Sequence, residues 1–139
     1  MSMETEAQSH IGGHITLLFT VEKEGRLLRN QGSRGVGLNI GHGVIASVTQ
    51  VSSDGKISDS TITIIDYQGE QLVDSEQQYR QLIDELVYAR LLQESYTYNI
   101  EITLQLPTSQ GMGMSAAGLI ALATAFRELT GEGNLDQYY

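Results

Sequence analysis

Alternation of apolar and polar positions, with a period of two residues, marks the extended segments of this chain. It is cleanest over residues 98–106, where every second residue is apolar and polar residues fill the positions between them. Because successive side chains of a strand point to opposite faces, this pattern predicts a strand with one face against a core. Segments rich in β-formers predict three further strands, over 14–21, about 36–52 and 61–65.

A spacing of three to four residues between apolar positions marks two helices. Over 75–93 charged residues fill the intervening positions, which predicts an amphipathic helix capped by Asp74 or Ser75. Over 115–129 no charge occurs before Arg127, which predicts a helix buried nearly all round. The order of elements predicts one α+β domain, a mixed or antiparallel sheet covered by helices on one face. Residues 1–9 are predicted to be a loose terminus.

The charge balance changes the list of plausible partners. The 139 residues carry a net charge of −9, and none of them is Cys. An acidic chain is a poor candidate for binding nucleic acid or an anionic membrane surface.

The absence of Cys excludes disulfides, Cys zinc sites and thiol nucleophiles. The longest apolar run, 116–126, is too short to span a bilayer, and the polar, acidic start does not resemble a signal peptide, so we expect a cytoplasmic protein.

The segment 107–118 follows a predicted strand and leads into a predicted helix. Gly111 and Gly113 precede the helix, and Ser115 lies at its start. The first amides of a helix have no intrahelical partner and carry partial positive charge, and glycines let an anion approach the backbone closely. This arrangement suits a polyphosphate, although it lacks the Lys of a Walker A loop. Ser115 has two open roles, as a helix cap or as a ligand of phosphate-bound Mg²⁺, and a plain glycine-rich turn is the alternative for the whole segment.

Four of the eight basic residues lie within twelve positions of each other. One of them, Arg34, follows Ser33 between two glycines, so a guanidinium, a hydroxyl and backbone amides are available together for a carboxylate or phosphate. This setting favours a functional role for Arg34. Lys23, Arg26 and Arg29 are interpreted as ordinary surface charges.

The three histidines do not indicate a metal site. His10 and His14 are four residues apart, but they lie in or next to a predicted strand, where that spacing does not form the shared face it forms on a helix. His14 is predicted to hydrogen-bond near a substrate. His10 and His42 are interpreted as surface or satisfied core residues.

Three short patches carry a resemblance to a known family. The run from Pro107 through Gly111-Met-Gly-Met-Ser-Ala-Ala117 resembles the phosphate-binding motif P-x-x-x-G-L-G-S-S-A-A of the GHMP kinases, with Met114 in place of the first Ser. Gly13-His-Ile-Thr16 and Gly32-Ser-Arg-Gly-Val-Gly37 resemble the paired signatures P-G-H-I-T and G-S-R-G-x-G of archaeal pantoate kinases, with Gly12 in place of the Pro. The resemblance runs from about residue 12 to 133.

The resemblance implies ATP-dependent transfer of a phosphoryl group to the primary hydroxyl of pantoate, in coenzyme A biosynthesis. It also implies a domain similar to the second domain of ribosomal protein S5, and ATP with Mg²⁺ as cofactors. The implied ligands of the ATP phosphates are Gly111, Met112, Gly113, Met114, Ser115 and Ala116, with Ser115 also near Mg²⁺. The implied ligands of the acceptor, a small hydroxy acid, are His14, Ser33 and Arg34.

The family also implies parts that this sequence does not contain. GHMP kinases have a C-terminal domain and, beyond the motif, acidic residues for Mg²⁺ and the acceptor hydroxyl, whereas this sequence stops at Tyr139. We therefore expect residues 1–139 to be an N-terminal ATP-binding domain that is inactive alone and that docks a C-terminal domain or a second copy. The alternative is a catalytically silent module that binds nucleotide or assembles with a partner.

Overall fold

The computed structural model describes residues 6–22, 32–108 and 112–131, which form one four-stranded sheet and two helices. The strands are β1 (Glu6–Glu22), β2 (Gly32–Ser52), β3 (Thr61–Ile65) and β4 (Thr97–Leu104), and the helices are α1 (Glu76–Tyr88) and α2 (Met114–Thr130). The strand order is β1-β2-β4-β3, with β3 parallel to β4 and the other neighbours antiparallel. A mixed sheet in an α+β domain is therefore confirmed.

The core lies between the helices and one face of the sheet. Alternate residues are buried on the two inner strands, β2 and β4, and on the edge strand β3. The apolar sides of α1 and α2 pack on these residues. On β2 these positions are Val44, Ala46 and Val48, and each of them is fully buried. The period-two burial of β4 is the pattern that its sequence predicts.

The β1–β2 hairpin extends well beyond the rest of the sheet. On β2 the register with β4 ends at Val44, whereas the register with β1 continues to the pair Glu22 and Gly32. We call residues 14–22 and 32–39 the distal ribbon. Irregularities in the pairing separate it from the sheet proper, between Gly12 and His14, and interrupt it between Thr16 and Leu18. The distal ribbon exposes four large apolar side chains: Ile15, Leu17, Val36 and Leu38.

Two sequence predictions about element boundaries are wrong. Residues 6–9 belong to β1 and pair with β2, so the loose terminus predicted for them is not observed. Helix α1 ends at Tyr88 instead of residue 93, because Arg90 adopts a left-handed conformation with φ of 62° that reverses the chain. Leu91 is nevertheless buried, and its amide donates to the Leu86 carbonyl over 2.9 Å.

The second helix is less completely enclosed than its composition predicts. Eight of the 17 residues of α2 are buried, and Ser115 and Ala116 in its first turn are exposed. The helix begins at Met114 with Gly113 as its N-cap residue, so Ser115 is not the cap. Within the described residues, no helix combines the length and the apolar character that a membrane span requires.

Candidate functional site

The junction between the glycine-rich loop and α2 presents unpaired backbone donors beside an exposed hydroxyl. Gly113 has a φ of 70°, a left-handed conformation that glycine adopts without steric cost. The ladder of α2 begins with the Ala117 amide, which donates to the Gly113 carbonyl over 2.9 Å. The amides of Met114, Ser115 and Ala116 therefore have no intrahelical acceptor, and the partial positive charge of the helix start is concentrated there.

The loop is fixed to the first strand by a backbone hydrogen bond. The amide of His14 donates to the Met112 carbonyl over 2.8 Å. Gly13, which precedes it, is buried, and a Cβ at that position would lie 2.9 Å from the Met112 oxygen and 2.8 Å from Cε of Met114. A glycine is required here because the loop and the helix start press directly on the strand. The segment around Gly13 and His14 and the glycine-rich segment 107–118, which the sequence analysis considered separately, thus meet at one place.

A small polar cavity of about 150 Å³ lies beside the start of α2. Its wall combines the end of β3 and β4 with the first turn of α1 and the residues around the loop. The lining residues are Ile64, Ser75, Gln78, Tyr79, Leu104, Thr108, Met114 and Ser115. No carboxylate and no basic side chain is among them, so the cavity offers hydroxyls and an amide to a ligand and no charged side chain.

Four of these polar groups were missed by the sequence analysis: Ser75, Gln78, Tyr79 and Thr108. Ser75 was considered only as the cap of α1, and it is the N-cap residue, although its side chain forms no cap hydrogen bond. Tyr79 was placed on the apolar side of the helix. No local signal indicates Ser75, Gln78 and Tyr79, because they line a cavity with Ser115 only through the packing of α1 in the folded domain. Thr108 lies inside the glycine-rich segment 107–118 itself.

Tyr79 is the one of the four that is fully enclosed, with 1% of its surface exposed. Burial raises the pKa of its phenol to about 12, opposed by a side-chain hydrogen bond with Gln78. The hydroxyl therefore stays protonated at neutral pH and remains a hydrogen-bond donor. It packs against Gly118 of α2, one turn after Ser115.

The remaining predicted site residues are placed as follows. His14 is exposed next to Gly113, while Gly111 lies outside the described residues. The backbones of Ser33 and Arg34 pair with Val21 and Thr20 in the distal ribbon, and their side chains lie outside the described part.

The register keeps the predicted acceptor ligands apart along the strand. His14 pairs with Asn39, and Arg34 is five residues further along β2, about 17 Å of extended chain. The structure therefore joins His14 to the phosphate loop and does not bring the Arg34 backbone to it.

The other two histidines lie away from this junction. His42 is exposed, and Nε2 of His10 is 3.0 Å from Oε1 of Gln105, which also accepts the Gly43 amide over 2.7 Å. Both residues are exposed, so each is a surface residue, which is one of the two alternatives that the sequence left open. Among the residues that the structure describes, no three His, Asp or Glu side chains are grouped as a metal site requires.

The solved structures that this fold resembles include enzymes of the GHMP kinase family, although no family model and no curated protein matches the sequence. A phosphotransferase related to the CoA biosynthesis pathway aligns with 96% of this chain and 43% of its own length, at 21% identity and a TM-score of 0.65. Mevalonate kinase from Staphylococcus aureus aligns with 94% of this chain and 41% of its own, at 20% identity and a TM-score of 0.66. Mevalonate diphosphate decarboxylase from Enterococcus faecalis, described with its ATP binding mechanism, aligns with 91% of this chain and 38% of its own, at 18% identity and a TM-score of 0.56.

These likenesses establish the fold and leave the reaction open. The mixed four-stranded sheet with two helices is that of the N-terminal domain of GHMP kinases, as the sequence resemblance predicted. The chain spans less than half the length of each of the three matched structures. Since one of the three is a decarboxylase by name, the fold by itself does not determine which reaction follows.

Proposed function

We propose that this domain binds ATP with Mg²⁺ at the start of α2 and is the nucleotide-binding part of a GHMP-type small-molecule kinase. The observation that carries the proposal is the convergence at one point of free amides, the Ser115 hydroxyl and a loop tied to β1 through His14 and Met112. Free amides at a helix start are suited to phosphate. The ATP-binding mechanism named for the decarboxylase of the same fold supports the choice of nucleotide.

The residues at the junction fit the phosphates well. The amides of residues 112–116 are proposed to hold phosphate oxygens, and the exposed Ser115 hydroxyl to be a ligand of the accompanying Mg²⁺. Bound ATP would supply the phosphoryl group, so the work left to the protein is positioning and neutralisation of charge. Since the described residues of the cavity wall include no carboxylate, phosphate oxygens and the Ser115 hydroxyl are the ligands that we propose for Mg²⁺ at this junction.

Pantoate is our proposed acceptor, which would place the enzyme in coenzyme A biosynthesis. Support comes from the sequence patches around residues 13–16 and 32–37 and from the named pathway of one structure with this fold. His14, exposed beside the loop, is proposed to contact the acceptor. The role of Ser33 and Arg34 in binding its carboxylate rests on their sequence setting alone. In a protein that also carries the second domain, Arg34→Lys should raise the KM for pantoate far more than the KM for ATP, because Lys lacks the planar fork.

The distal ribbon is the proposed contact surface for a second domain or a second copy of the chain. Ile15 and Leu38 are direct cross-strand partners, 38% and 56% exposed, so their side chains leave the same side of the ribbon. Contiguous exposed apolar surface of this kind favours association. The matched structures are more than twice as long as the part aligned here, and this supports the proposal of a second domain.

A catalytically silent binding or assembly module is the second candidate. None of the cavity-lining residues in the described part of the chain is a carboxylate. This favours the silent module, since a kinase needs an acidic group near the acceptor hydroxyl or Mg²⁺. The two candidates differ in turnover and agree in nucleotide binding.

The test of the nucleotide site uses the two glycines that adopt a left-handed backbone conformation at opposite ends of α2. Gly113 and Gly131 have φ values of 70° and 69°, so Gly113→Ala and Gly131→Ala introduce similar backbone strain. By titration calorimetry with ATP and Mg²⁺, we expect Gly113→Ala to weaken binding about tenfold and Gly131→Ala to leave it unchanged. Absence of ATP binding by the unaltered chain, or equal affinities for all three proteins, would refute the proposed site.

A further inference from the structure

The contact between Tyr79 and Gly118 joins the two helices at the candidate site. Tyr79 lies on α1, one turn from its start, and Gly118 lies on the second turn of α2. A Cβ on Gly118 would overlap the Tyr79 hydroxyl and would lie 3.1 Å from Cζ and 3.3 Å from Cε1 of the ring. The phenol therefore occupies the space that any larger residue at 118 would need.

The contact is one helical turn from the exposed hydroxyl at the start of α2. Ser115 and Gly118 are three residues apart, so they occupy the same side of the helix about 4.5 Å apart along its axis. Both Tyr79 and Ser115 line the 150 Å³ cavity. One turn of a helix moves as a rigid unit. The distance between Gly118 and the Tyr79 hydroxyl therefore also fixes the position of the Ser115 hydroxyl and of the amides beside it.

We propose that Tyr79 is a positioning residue, whose hydroxyl sets the placement of the first turn of α2 and thereby the affinity of the site for the phosphates of a nucleotide. The inference rests on the proposed function and adds a residue to it that neither the sequence pattern nor the motif indicates. Tyr79 acts through Gly118 and is not assigned a contact with the reacting atoms. Its own rotamer is held by burial and by the hydrogen bond with Gln78.

Size complementarity supplies the test. Gly118→Ala adds a methyl group that competes with the Tyr79 hydroxyl for one space, and Tyr79→Phe removes that hydroxyl while it keeps the ring. We expect Gly118→Ala to weaken ATP binding about tenfold and Tyr79→Phe to weaken it about fivefold, because the first turn of α2 then loses the hydroxyl that it packs against. The double variant should return to within threefold of the unaltered chain, since the new methyl group fills the space of the lost hydroxyl. The matched control is Gly41→Ala, whose Cβ meets nothing within 4 Å.

The measurement is calorimetric titration of the whole 139-residue chain with ATP and Mg²⁺, at a temperature where thermal unfolding shows every variant to be folded. Under that condition a loss of global stability does not alter the affinity, so a changed dissociation constant reports the geometry of the site. Unchanged affinity in Gly118→Ala or in Tyr79→Phe, or a double variant as weak as Gly118→Ala, would overturn the positioning role while leaving the nucleotide site intact. An unaltered chain that binds no ATP would overturn the proposed function and this inference together.

Discussion

The amide of His14 donates to the carbonyl of Met112 over 2.8 Å, and this bond joins the first strand to the loop that precedes α2. The two residues are 98 positions apart in the sequence. Their contact requires Gly13, because the neighbouring carbonyl and the Met114 side chain fill the space of a Cβ there. A segment proposed to bind the acceptor and a segment proposed to bind phosphates are thereby fixed side by side.

Replacement of Gly13 should disturb both the fold and the site. In Gly13→Ala the new methyl group would lie 2.9 Å from the Met112 oxygen, so the loop must move away from β1. We expect a loss of about 1–3 kcal/mol in the free energy of unfolding, as for other overpacked sites, together with weaker ATP binding. Urea unfolding and calorimetry measure the two effects. Gly41→Ala, in open space on β2, is the control and should show neither effect.

Removal of the Ser115 hydroxyl should separate binding from stability. The side chain is exposed and Ser115 is not the N-cap residue of α2, so Ser115→Ala should change the free energy of unfolding by less than about 0.5 kcal/mol. We expect the unaltered chain to bind ATP more tightly with Mg²⁺ than without it, and the variant to lose that gain. Ser53→Ala, which removes an exposed hydroxyl from a turn, should behave as the unaltered chain. A full Mg²⁺ effect in Ser115→Ala would remove Ser115 from the metal site.

The buried phenol of Tyr79 should make stability depend on pH in the alkaline range. Its pKa is raised to about 12 in the folded chain, against an ordinary value of 10.0. The stabilisation is complete below pH 10 and is lost as the pH rises from 10 towards 12, because the unfolded chain releases the proton first. Two pKa units correspond to about 3 kcal/mol.

Urea unfolding at pH 9 and pH 11.5 measures this loss, and Tyr79→Phe isolates it from other alkaline titrations. The variant should lose less stability than the unaltered chain over the same interval. Parallel loss in both proteins would show that Tyr79 ionises as freely in the folded as in the unfolded chain.

The 139-residue chain should show little or no phosphoryl transfer to pantoate by itself. None of the described residues that line the cavity is a carboxylate, and the acidic residue of α2, Glu128, is thirteen residues beyond Ser115, or about 20 Å along the helix. A proton acceptor must come within about 3 Å of the acceptor hydroxyl. A coupled assay of the chain, beside a longer protein that adds a second domain, tests this expectation. Comparable turnover in the two would show that the first domain contains the catalytic groups.

The apolar surface of the distal ribbon should govern self-association. Leu38 is 56% exposed, so Leu38→Thr should leave stability nearly unchanged while it weakens any concentration-dependent association seen by sedimentation. Val73→Thr changes an equally apolar residue, 75% exposed, outside the ribbon, and should have no effect. Association that Leu38→Thr leaves unaltered would exclude this surface as its cause.

Local patterns determined most of the elements of this protein. The period of two over 98–106 predicts β4, and the spacing of three to four residues predicts both helices, because these periods follow from backbone geometry alone. The glycine-rich run before Ser115 likewise predicts an anion site at the start of α2, and that site stays a prediction. The end of α1 was missed because Arg90, a residue with no turn preference in the sequence, adopts a left-handed conformation that lets Leu91 reach the core.

Only the tertiary structure decided which residues surround that helix start. His14 reaches Met112 through the register of a long hairpin, and Tyr79 reaches Gly118 through the packing of α1 on α2. Neither contact leaves a periodic trace, because each joins residues far apart in the chain that share no element. The amides at the start of α2 follow from the backbone of that helix alone. The cavity wall beside them is different, because it forms when apolar surfaces of separate elements are buried together. The polar residues next to those apolar surfaces then come to lie in the same place.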